Sequence, residues 1–241
     1  MHPMLEALRA KGRSFSQIYI QKGKKESSLK EMIQLAKEQN IRVTYAAKEI
    51  LDQISGTLKH QGVLGLGASK RYDTIDHLLE HSRQTGEPAF FLILDEIEDP
   101  RNLGAILRTA EGAGIHGVIL PTRRSAGITE TVAKTSAGAI EYVKVVQVVN
   151  IVQTIEFLKT QGIWVYGLDG EAKATYLQMD YTAPAAFVLG AEGKGLRPLV
   201  KQTCDMTISI PMRGKVQSLN VSTAAGIVVY EVLRQRAKIS K

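Results

Sequence analysis

From residue 89 onward, short apolar runs alternate with segments whose apolar residues recur every three or four positions. The first run, Ala89 to Leu94, is continuously apolar, which is typical of a strand buried on both faces. The other predicted strands lie at 117–120, 142–148, 163–168, 187–189 and 207–212. The predicted helices lie at 103–112, 129–138, 150–160, 196–202 and 222–236. Strands that alternate with helices predict an α/β fold with a mostly parallel sheet covered on both faces.

The first 70 residues contain a shorter series of the same kind, which predicts a small α/β domain over 1–70. Its predicted helices and strands lie at 5–9, 18–20, 28–39, 43–46, 50–54 and 62–66. Residues 71–88 are predicted to form a linker with one or two helical turns. Ile75, Leu78 and Leu79 follow helical spacing there, and the sequence at 84–88 interrupts it. The second predicted domain is then 89–241.

The two predicted domains differ in net charge. The chain carries a net charge of +7, but residues 1–70 hold 12 Lys and Arg against 6 Asp and Glu, and the remainder holds 19 against 18. The lysines cluster in basic loops at 11–13 and 21–25. They could form an ordinary solvated surface. Their concentration beside a nearly neutral domain favours contact with the phosphates of RNA or DNA.

Several classes of protein are disfavoured by composition. No apolar stretch approaches the roughly 20 residues that span a bilayer, and the first residues lack the zones of a signal peptide. The single cysteine, Cys204, cannot form an internal disulfide or a thiolate cluster, and we expect it to be buried near a helix end. The five histidines show no spacing typical of metal ligands. We therefore expect a cytoplasmic protein without a metal site or a membrane anchor.

Three polar or glycine-rich loops follow predicted strands, at 95–104, 190–195 and 213–222. Since parallel sheets bind ligands beyond the carboxyl ends of their strands, we expect these loops to form a site. The loop at 190–195 lacks the P-loop pattern, and no GxGxxG follows the strand at 89–94, so the common nucleotide sites are disfavoured. Glu192 within this loop either satisfies the dipole of a following helix or takes part in the site.

The segment from Asp99 to Gly104 begins a predicted helix. Asp99 and Asn102 could be present simply to cap this helix. Arg108 follows among apolar residues of the same helix, so we expect a partly sheltered guanidinium. It could form a salt bridge on the helix, or it could bind a phosphate or a developing oxyanion.

The loop before the last helix contains Ser218, Asn220 and Ser222, which alternate with Leu219 and Val221. Ser and Asn are common N-cap residues, so the loop could be a simple capped turn. It could also be a strand-to-helix turn that binds a polar ligand. No histidine stands in a credible triad relation to Ser218 and no GxSxG motif surrounds it, which argues against a serine hydrolase.

Three blocks of sequence together resemble one family. They are Asp99 to Gly104 with Arg108, Leu189 to Gly195, and Ile210 to Met212 with Ser218 to Ser222. In this order they resemble the SpoU (TrmH-type) RNA 2′-O-ribose methyltransferases of the SPOUT superfamily. The similarity covers about residues 89 to 236. The N-terminal part, with Leu5 to Arg9 and His60 to Gly65, is similar to the family's L30e/L7Ae-like RNA-binding domain. Relatives usually have a few residues upstream of the position matching Met1.

The resemblance implies features that hydrophobic patterning does not show. It implies a C-terminal α/β domain with a deep trefoil knot that holds S-adenosylmethionine, and a protein that works as a homodimer. The cofactor would be held by Gly190, Ile210 and Leu219, largely through backbone atoms. The residues that match the family's substrate and catalytic positions are Asn102, Arg108, Glu192, Ser218 and Asn220.

The branch that the chain most resembles methylates a guanosine of 23S ribosomal RNA in the peptidyl-transferase region. Two alternatives remain open at this point. The same chemistry could act on transfer RNA or on another ribosomal RNA nucleotide, or the protein could be a non-catalytic factor for ribosomal RNA binding or assembly. For the enzyme, arginine is a poor base, because its pKa exceeds about 12. We therefore expect Arg108 to stabilise the forming alkoxide while Asn102, Glu192 and Asn220 orient Arg108 and the ribose.

Overall fold

The chain divides into two units. The computed structural model describes residues 1–25, 29–56, 60–68 and 70–237. The N-terminal unit comprises Met1–Arg71 together with Ala137–Tyr142, and the C-terminal unit comprises Tyr72–Ser136 and Val143–Lys241.

The N-terminal unit has a small mixed sheet of order β2-β1-β3, in which β1 pairs parallel with β2 and antiparallel with β3. Its elements are α1 (His2–Ala10), β1 (Phe15–Gln21), α2 (Lys30–Glu38), β2 (Arg42–Ala46), α3 (Lys48–Ser55) and β3 (Val63–Gly67). Alternate residues of β1, Ile18 and Ile20, are buried beside Leu8 and Met32 of the helices. This one-sided burial matches the pleat period of a strand. The predicted small α/β unit is confirmed.

The C-terminal unit has a parallel sheet of order β6-β5-β4-β8-β7-β9. Its strands are β4 (Phe90–Leu94), β5 (Gly117–Pro121), β6 (Val145–Val148), β7 (Trp164–Leu168), β8 (Ala185–Leu189) and β9 (Met206–Ile208). Its helices are α4 (Ile75–Thr85), α5 (Pro100–Gly112), α6 (Glu130–Thr135), α7 (Ile151–Thr160), α8 (Pro198–Thr203) and α9 (Val221–Arg236). Every residue of β4, β5 and β8 is buried, as expected where helices cover both faces. The predicted parallel sheet is confirmed.

The strand order determines which loops become neighbours. β4 and β8 pair directly, and β7 lies between β8 and β9. The loops that follow β4, β8 and β9 are therefore grouped at the carboxyl edge of the sheet. Beyond that edge, the segment at 174–176 pairs with Ser209, whose backbone N–H donates to the carbonyl of Ala174 at 2.9 Å.

The prediction that residues 71–88 form a linker with one or two helical turns is wrong. An 11-residue helix, α4, begins after Thr74, whose side chain accepts a hydrogen bond from the backbone N–H of His77. Leu78 and Leu79 are buried in the same core as Ile93 of the sheet. A narrow apolar stripe is enough to bury one face of a helix, and the polar residues around it gave the segment the composition of a linker.

The predicted strand at 207–212 is too long. β9 ends at Ile208, and the ladder continues only as a single bridge at Ser209. Pro211 lacks a backbone N–H and therefore cannot extend a ladder. The predicted strand at 142–148 begins later, at Val145, because residues 139–141 form a 3-10 turn. Cys204 is buried directly after α8, as predicted, and burial raises the pKa of its thiol to about 12.

The end of α9 is attached to the body of the C-terminal unit through Arg236. Its guanidinium donates hydrogen bonds to the carbonyls of Ala89 at 3.2 Å, Tyr181 at 3.0 Å and Ala183 at 2.9 Å, and also to that of Pro88. It also lies 5.1 Å from the centre of the Phe90 ring. Burial lowers the pKa of Arg236. One side chain thus donates hydrogen bonds to carbonyls at the entries of two central strands.

We expect Arg236→Met to lower the free energy of unfolding by about 2 kcal/mol, because four carbonyls at the strand entries would lose a charged donor. Urea denaturation of the full chain measures the change. The control is Arg83→Met, since Arg83 is exposed and its side chain hydrogen-bonds only Gln161 among the described residues. That variant should stay within about 0.5 kcal/mol of wild type. Equal losses in the two variants would contradict the role assigned to Arg236.

Candidate active site

The first part of the site is the turn from β4 into α5. The side chain of Asp99 accepts a hydrogen bond from the backbone N–H of Arg101 at 2.8 Å, and Pro100 occupies the first helical position. Both features are typical of helix starts. They place Asn102 in the first turn of α5, where it is buried. Asp99 is therefore the cap, and Asn102 is not needed for that purpose.

Asn102 contacts two residues that come from the other loops at the carboxyl edge. Its Nδ2 donates to Oε2 of Glu192 at 3.2 Å. Nδ2 of Asn220 donates to Oδ1 of Asn102 at 3.0 Å and to Oε1 of Glu192 at 3.3 Å. We call these three residues the amide–carboxylate cluster. Asn102 lies 90 positions from Glu192 and 118 from Asn220, and these two lie 28 positions apart, so the tertiary fold brings the three together.

Glu192 is carried by a tight glycine-rich loop. A Cβ on Gly190 would overlap with the backbone of Gly195, and the N–H of Gly195 donates to the carbonyl of Ala191 at 2.9 Å. Gly193 adopts a left-handed φ of +79°, which favours glycine. The alternative in which Glu192 satisfies a helix dipole is wrong, since α8 begins only at Pro198.

Asn220 combines two roles that the sequence presented as alternatives. Its Oδ1 accepts hydrogen bonds from the backbone N–H and the hydroxyl of Ser222, at 2.9 and 2.6 Å, so it caps α9. Its Nδ2 is directed into the amide–carboxylate cluster. Capping therefore fixes the side chain in the orientation in which its amide donors reach Glu192.

Arg108 and Ser218 are not joined to the cluster by any contact among the described residues. Arg108 is exposed, so the expectation of a partly sheltered guanidinium is wrong for the single chain. The buried face of α5 is formed by Leu103, Ile106, Leu107 and Ala110, and Arg108 follows Leu107 about 100° further around the helix. Within the ranges that the structure describes, Arg108 also forms no salt bridge. Ser218 is likewise exposed.

The residues expected to bind the cofactor are Gly190, Ile210 and Leu219. All three are half-buried, at the ends of β8 and β9 and directly before Asn220. In the described part of the chain their peptide groups form no hydrogen bond with other backbone. Half-buried peptide groups without internal partners are suited to bind the polar edges of a ligand. The chemistry of these donors and acceptors fits S-adenosylmethionine, whose purine edge and polar amino-acid end require both.

Sequence reasoning missed an ion pair at the base of the glycine-rich loop. Asp95, directly after β4, is fully buried, and its carboxylate accepts two hydrogen bonds from Nε of Arg197 at 3.0 and 3.1 Å. Hydrogen bonding to Asp95 raises the pKa of Arg197. The sequence did contain a sign of this ion pair, since the charged residue Asp95 directly follows a continuously apolar strand. A charge buried at such a position requires a partner.

None of the helices in the described ranges combines the length and the apolar character that crossing a bilayer requires. The same ranges contain no group of three or more His, Cys, Asp or Glu side chains arranged to hold a metal ion.

The two roles of Asn220 can be separated by substitution. Asn220→Ala should lower the free energy of unfolding by about 1 kcal/mol, because the backbone N–H of Ser222 loses its acceptor. Asn220→Ser should cost less than about 0.5 kcal/mol, since serine caps helices nearly as well. Urea denaturation of both variants measures the difference. Equal losses would show that the cap contributes nothing and that the cluster carries the whole effect.

Comparisons with known proteins place the chain in a family. Residues 89–230 match the model of the SpoU rRNA methylase family, and residues 1–73 match the model described as RNA 2′-O ribose methyltransferase substrate binding. Among curated relatives, the Bacillus subtilis protein named as a TrmH family tRNA/rRNA methyltransferase, YacO, is 47% identical over 88% of this chain and 84% of its own. The 23S rRNA (guanosine-2′-O-)-methyltransferase RlmB of Neisseria meningitidis serogroup B is 43% identical over 93% of this chain and 89% of its own.

Among solved structures, the fold is similar to that of the SpoU methyltransferase AviRb from Streptomyces viridochromogenes in complex with AdoMet. The TM-score is 0.82 at 23% identity, and the match covers 98% of this chain and 88% of that one. The family model matches more than half of the sequence, and the Bacillus relative is 47% identical. The chain therefore belongs to the SpoU rRNA methylase family.

Proposed function

We propose that this protein transfers a methyl group from S-adenosylmethionine to the 2′-oxygen of a ribose in RNA. The observation that carries the proposal is the amide–carboxylate cluster of Asn102, Glu192 and Asn220. Its three members come from the first turn of α5, the loop after β8 and the segment before α9, and they meet beside peptide groups that are available for a cofactor. A fold kept only for binding RNA would not need this arrangement, which argues against a non-catalytic assembly factor.

The cofactor site is formed by Gly190, Ile210 and Leu219. When bound, S-adenosylmethionine supplies an electrophilic methyl group on a sulfonium. The AviRb structure, a complex with AdoMet, supports a cofactor of this kind in the same fold. We retain the trefoil knot implied by the resemblance as part of this proposal.

The residues of the chain orient and stabilise the attacking oxygen. Asn102 and Asn220 hold the carboxylate of Glu192 in one orientation, which leaves it able to accept from a ribose hydroxyl. Ser218, two residues before Asn220, adds a hydroxyl beside the same site. Arg108 presents a positively charged guanidinium that stabilises the negative charge developing on the 2′-oxygen, whereas arginine is a poor base. Correct placement of the two reacting groups supplies much of the acceleration.

A homodimer completes the proposal. α5 packs against α9, and α9 exposes Tyr230 and Leu233 to solvent, at 52% and 38% of their surfaces. Apolar residues exposed along a helix indicate a covered face. A second copy on the α5–α9 face would remove Arg108 from bulk water and so strengthen its interaction with an oxyanion.

For the substrate we propose a guanosine in the peptidyl-transferase region of 23S ribosomal RNA, which places the activity in the cytoplasm. The relative from Neisseria meningitidis, named for a 23S guanosine, supports this choice. The Bacillus relative, named for both transfer and ribosomal RNA, keeps transfer RNA as the alternative. Mapping 2′-O-methyl marks on total RNA from cells with and without the protein decides between them. Loss of one 23S mark supports the proposal, and loss of a transfer RNA mark supports the alternative.

The N-terminal unit, over residues 1–70, is proposed to bind the RNA, and residues 89–241 to perform the transfer. The backbone N–H of Lys22 donates to the carbonyl of Ala46 at 2.9 Å, so the loops after β1 and β2 lie side by side. They bring Lys22, Lys24 and Lys48 to one edge of the small sheet. Lysines grouped in this way are suited to bind consecutive phosphates.

Replacing Lys22, Lys24 and Lys48 with Gln should make the slope of the log association constant against log salt concentration shallower by about 2. The variant would contact fewer phosphates, and binding would therefore release fewer counterions. Filter binding of ribosomal RNA between low and moderate salt measures it. The control carries Lys134→Gln, Lys144→Gln and Lys159→Gln, which removes the same charge from lysines paired with acids in the C-terminal unit. An unchanged slope in the first variant would count against this edge as the RNA contact.

Arg108→Ala should reduce single-turnover methyl transfer at least about 100-fold, since a stabilising charge is removed from the developing oxyanion. Affinity for S-adenosylmethionine should change less than twofold, because Arg108 is not among the residues that hold the cofactor. Calorimetry and a labelled-methyl assay provide the two readouts, with Arg83→Ala as the matched exposed arginine. Near-normal transfer by Arg108→Ala would overturn the role given to this residue.

A further inference from the structure

The carboxylate of Asp95 lies at the end of β4, entirely removed from solvent. It accepts a hydrogen bond from Nη2 of Arg197 at 2.6 Å in addition to those from Nε. The backbone N–H of Arg197 also points to it, at 3.4 Å. A carboxylate in this environment requires such partners, because burying an unpaired charge is very costly.

Asp95 contacts both ends of the loop that carries Glu192. Its backbone N–H donates to the carbonyl of Leu189 at 2.8 Å, directly before Gly190. Its side chain binds Arg197, directly after Leu196. One residue therefore joins the two ends of the loop over residues 190–196. Inside the loop, the Gly195-to-Ala191 hydrogen bond closes a second, smaller ring.

Charged neighbours extend this attachment at the carboxyl edge. Arg197 also lies 3.8 Å from Glu96, and Glu96 accepts a hydrogen bond from Arg124 at 3.1 Å. The guanidinium of Arg197 is thus held between two carboxylates, although 46% of its side chain is exposed. An exposed ion pair alone would contribute little. The buried carboxylate of Asp95 determines the position of the Arg197 guanidinium.

We propose that Asp95 is a positioning residue for the methyl transfer, an inference that rests on the proposed function. By holding Arg197 and the carbonyl of Leu189, it fixes the base of the 190–196 loop. Glu192 is then kept within hydrogen-bonding distance of Asn102 and Asn220, and the peptide group of Gly190 is kept in place for the cofactor. Asp95 acts through the loop and touches neither the cofactor nor the ribose.

Asp205 provides a matched control at the opposite edge of the sheet. Its carboxylate binds Lys159 at 2.8 Å, and its backbone N–H donates to the carbonyl of Val165 at 2.9 Å. It also accepts a hydrogen bond from the N–H of Val165, at the amino end of β7. Like Asp95, it combines an ion pair with a backbone contact to a neighbouring strand. Unlike Asp95, it forms no hydrogen bond or ion pair with the loop at 190–196 in the part of the chain that the structure describes.

The test compares Asp95→Asn with Asp205→Asn in the full chain. Both variants should lower the melting temperature, since each loses a carboxylate that joins elements. Only Asp95→Asn should weaken the binding of S-adenosylmethionine, which calorimetry measures, by at least about tenfold. This corresponds to a loss of about 1.4 kcal/mol of binding free energy, and the KM for the cofactor should rise by a similar factor. In cofactor-free protein, the amide hydrogen of Gly195 should exchange at least about tenfold faster in Asp95→Asn and stay unchanged in Asp205→Asn.

A second pair of variants covers the case in which Asp95→Asn does not fold. Arg197→Lys keeps the charge and should give intermediate values, and Arg197→Gln should reproduce the loss. Equal cofactor affinity and equal Gly195 exchange in the Asp95 and Asp205 variants would overturn the positioning role while the wild type still binds cofactor. If wild-type protein binds no S-adenosylmethionine, the proposed function fails and the positioning role fails with it.

Discussion

Parallel pairing of β4 with β8 is the constraint on which the rest of the site depends. Because parallel strands end at the same edge, the turn into α5 and the glycine-rich loop are neighbours although they lie about ninety residues apart in the chain. The hydrogen bonds among Asn102, Glu192 and Asn220 can form only in this arrangement. Asp95 directly follows the last pair of this ladder, and its backbone N–H donates to the carbonyl of Leu189.

The site also shows how local structure and chemistry share residues. Asn220 caps α9 with its oxygen and donates to the cluster with its nitrogen. Position 190 requires glycine because the backbone of Gly195 lies where a Cβ would be. The peptide group of Gly190 remains available for a ligand. In each case, the feature that shapes the backbone also orients the group that the chemistry needs. Stability and function at this edge are therefore coupled.

Much of the fold could be predicted from the sequence, because a short, continuously apolar run such as Phe90 to Leu94 is typical of a strand buried on both faces. The grouping of Asn102, Glu192 and Asn220 at one edge of the sheet was also predictable, because their three segments follow strands. The three-turn length of α4 was hidden by its polar residues, and the early end of β9 by the apolar residues after Ile208. The exposure of Arg108 and the pairing of Asp95 with Arg197 depend on tertiary neighbours, which hydrophobic periodicity does not contain.

Methylation of a ribose oxygen of RNA at this edge of the sheet can be measured directly. Purified protein is supplied with S-adenosylmethionine labelled on the methyl group and with unmodified RNA, and the RNA is then digested to nucleosides. We predict that the label appears in a 2′-O-methylated nucleoside, most of it in guanosine. Label found on a base, or no label in RNA while the protein binds the cofactor, would contradict the proposed reaction.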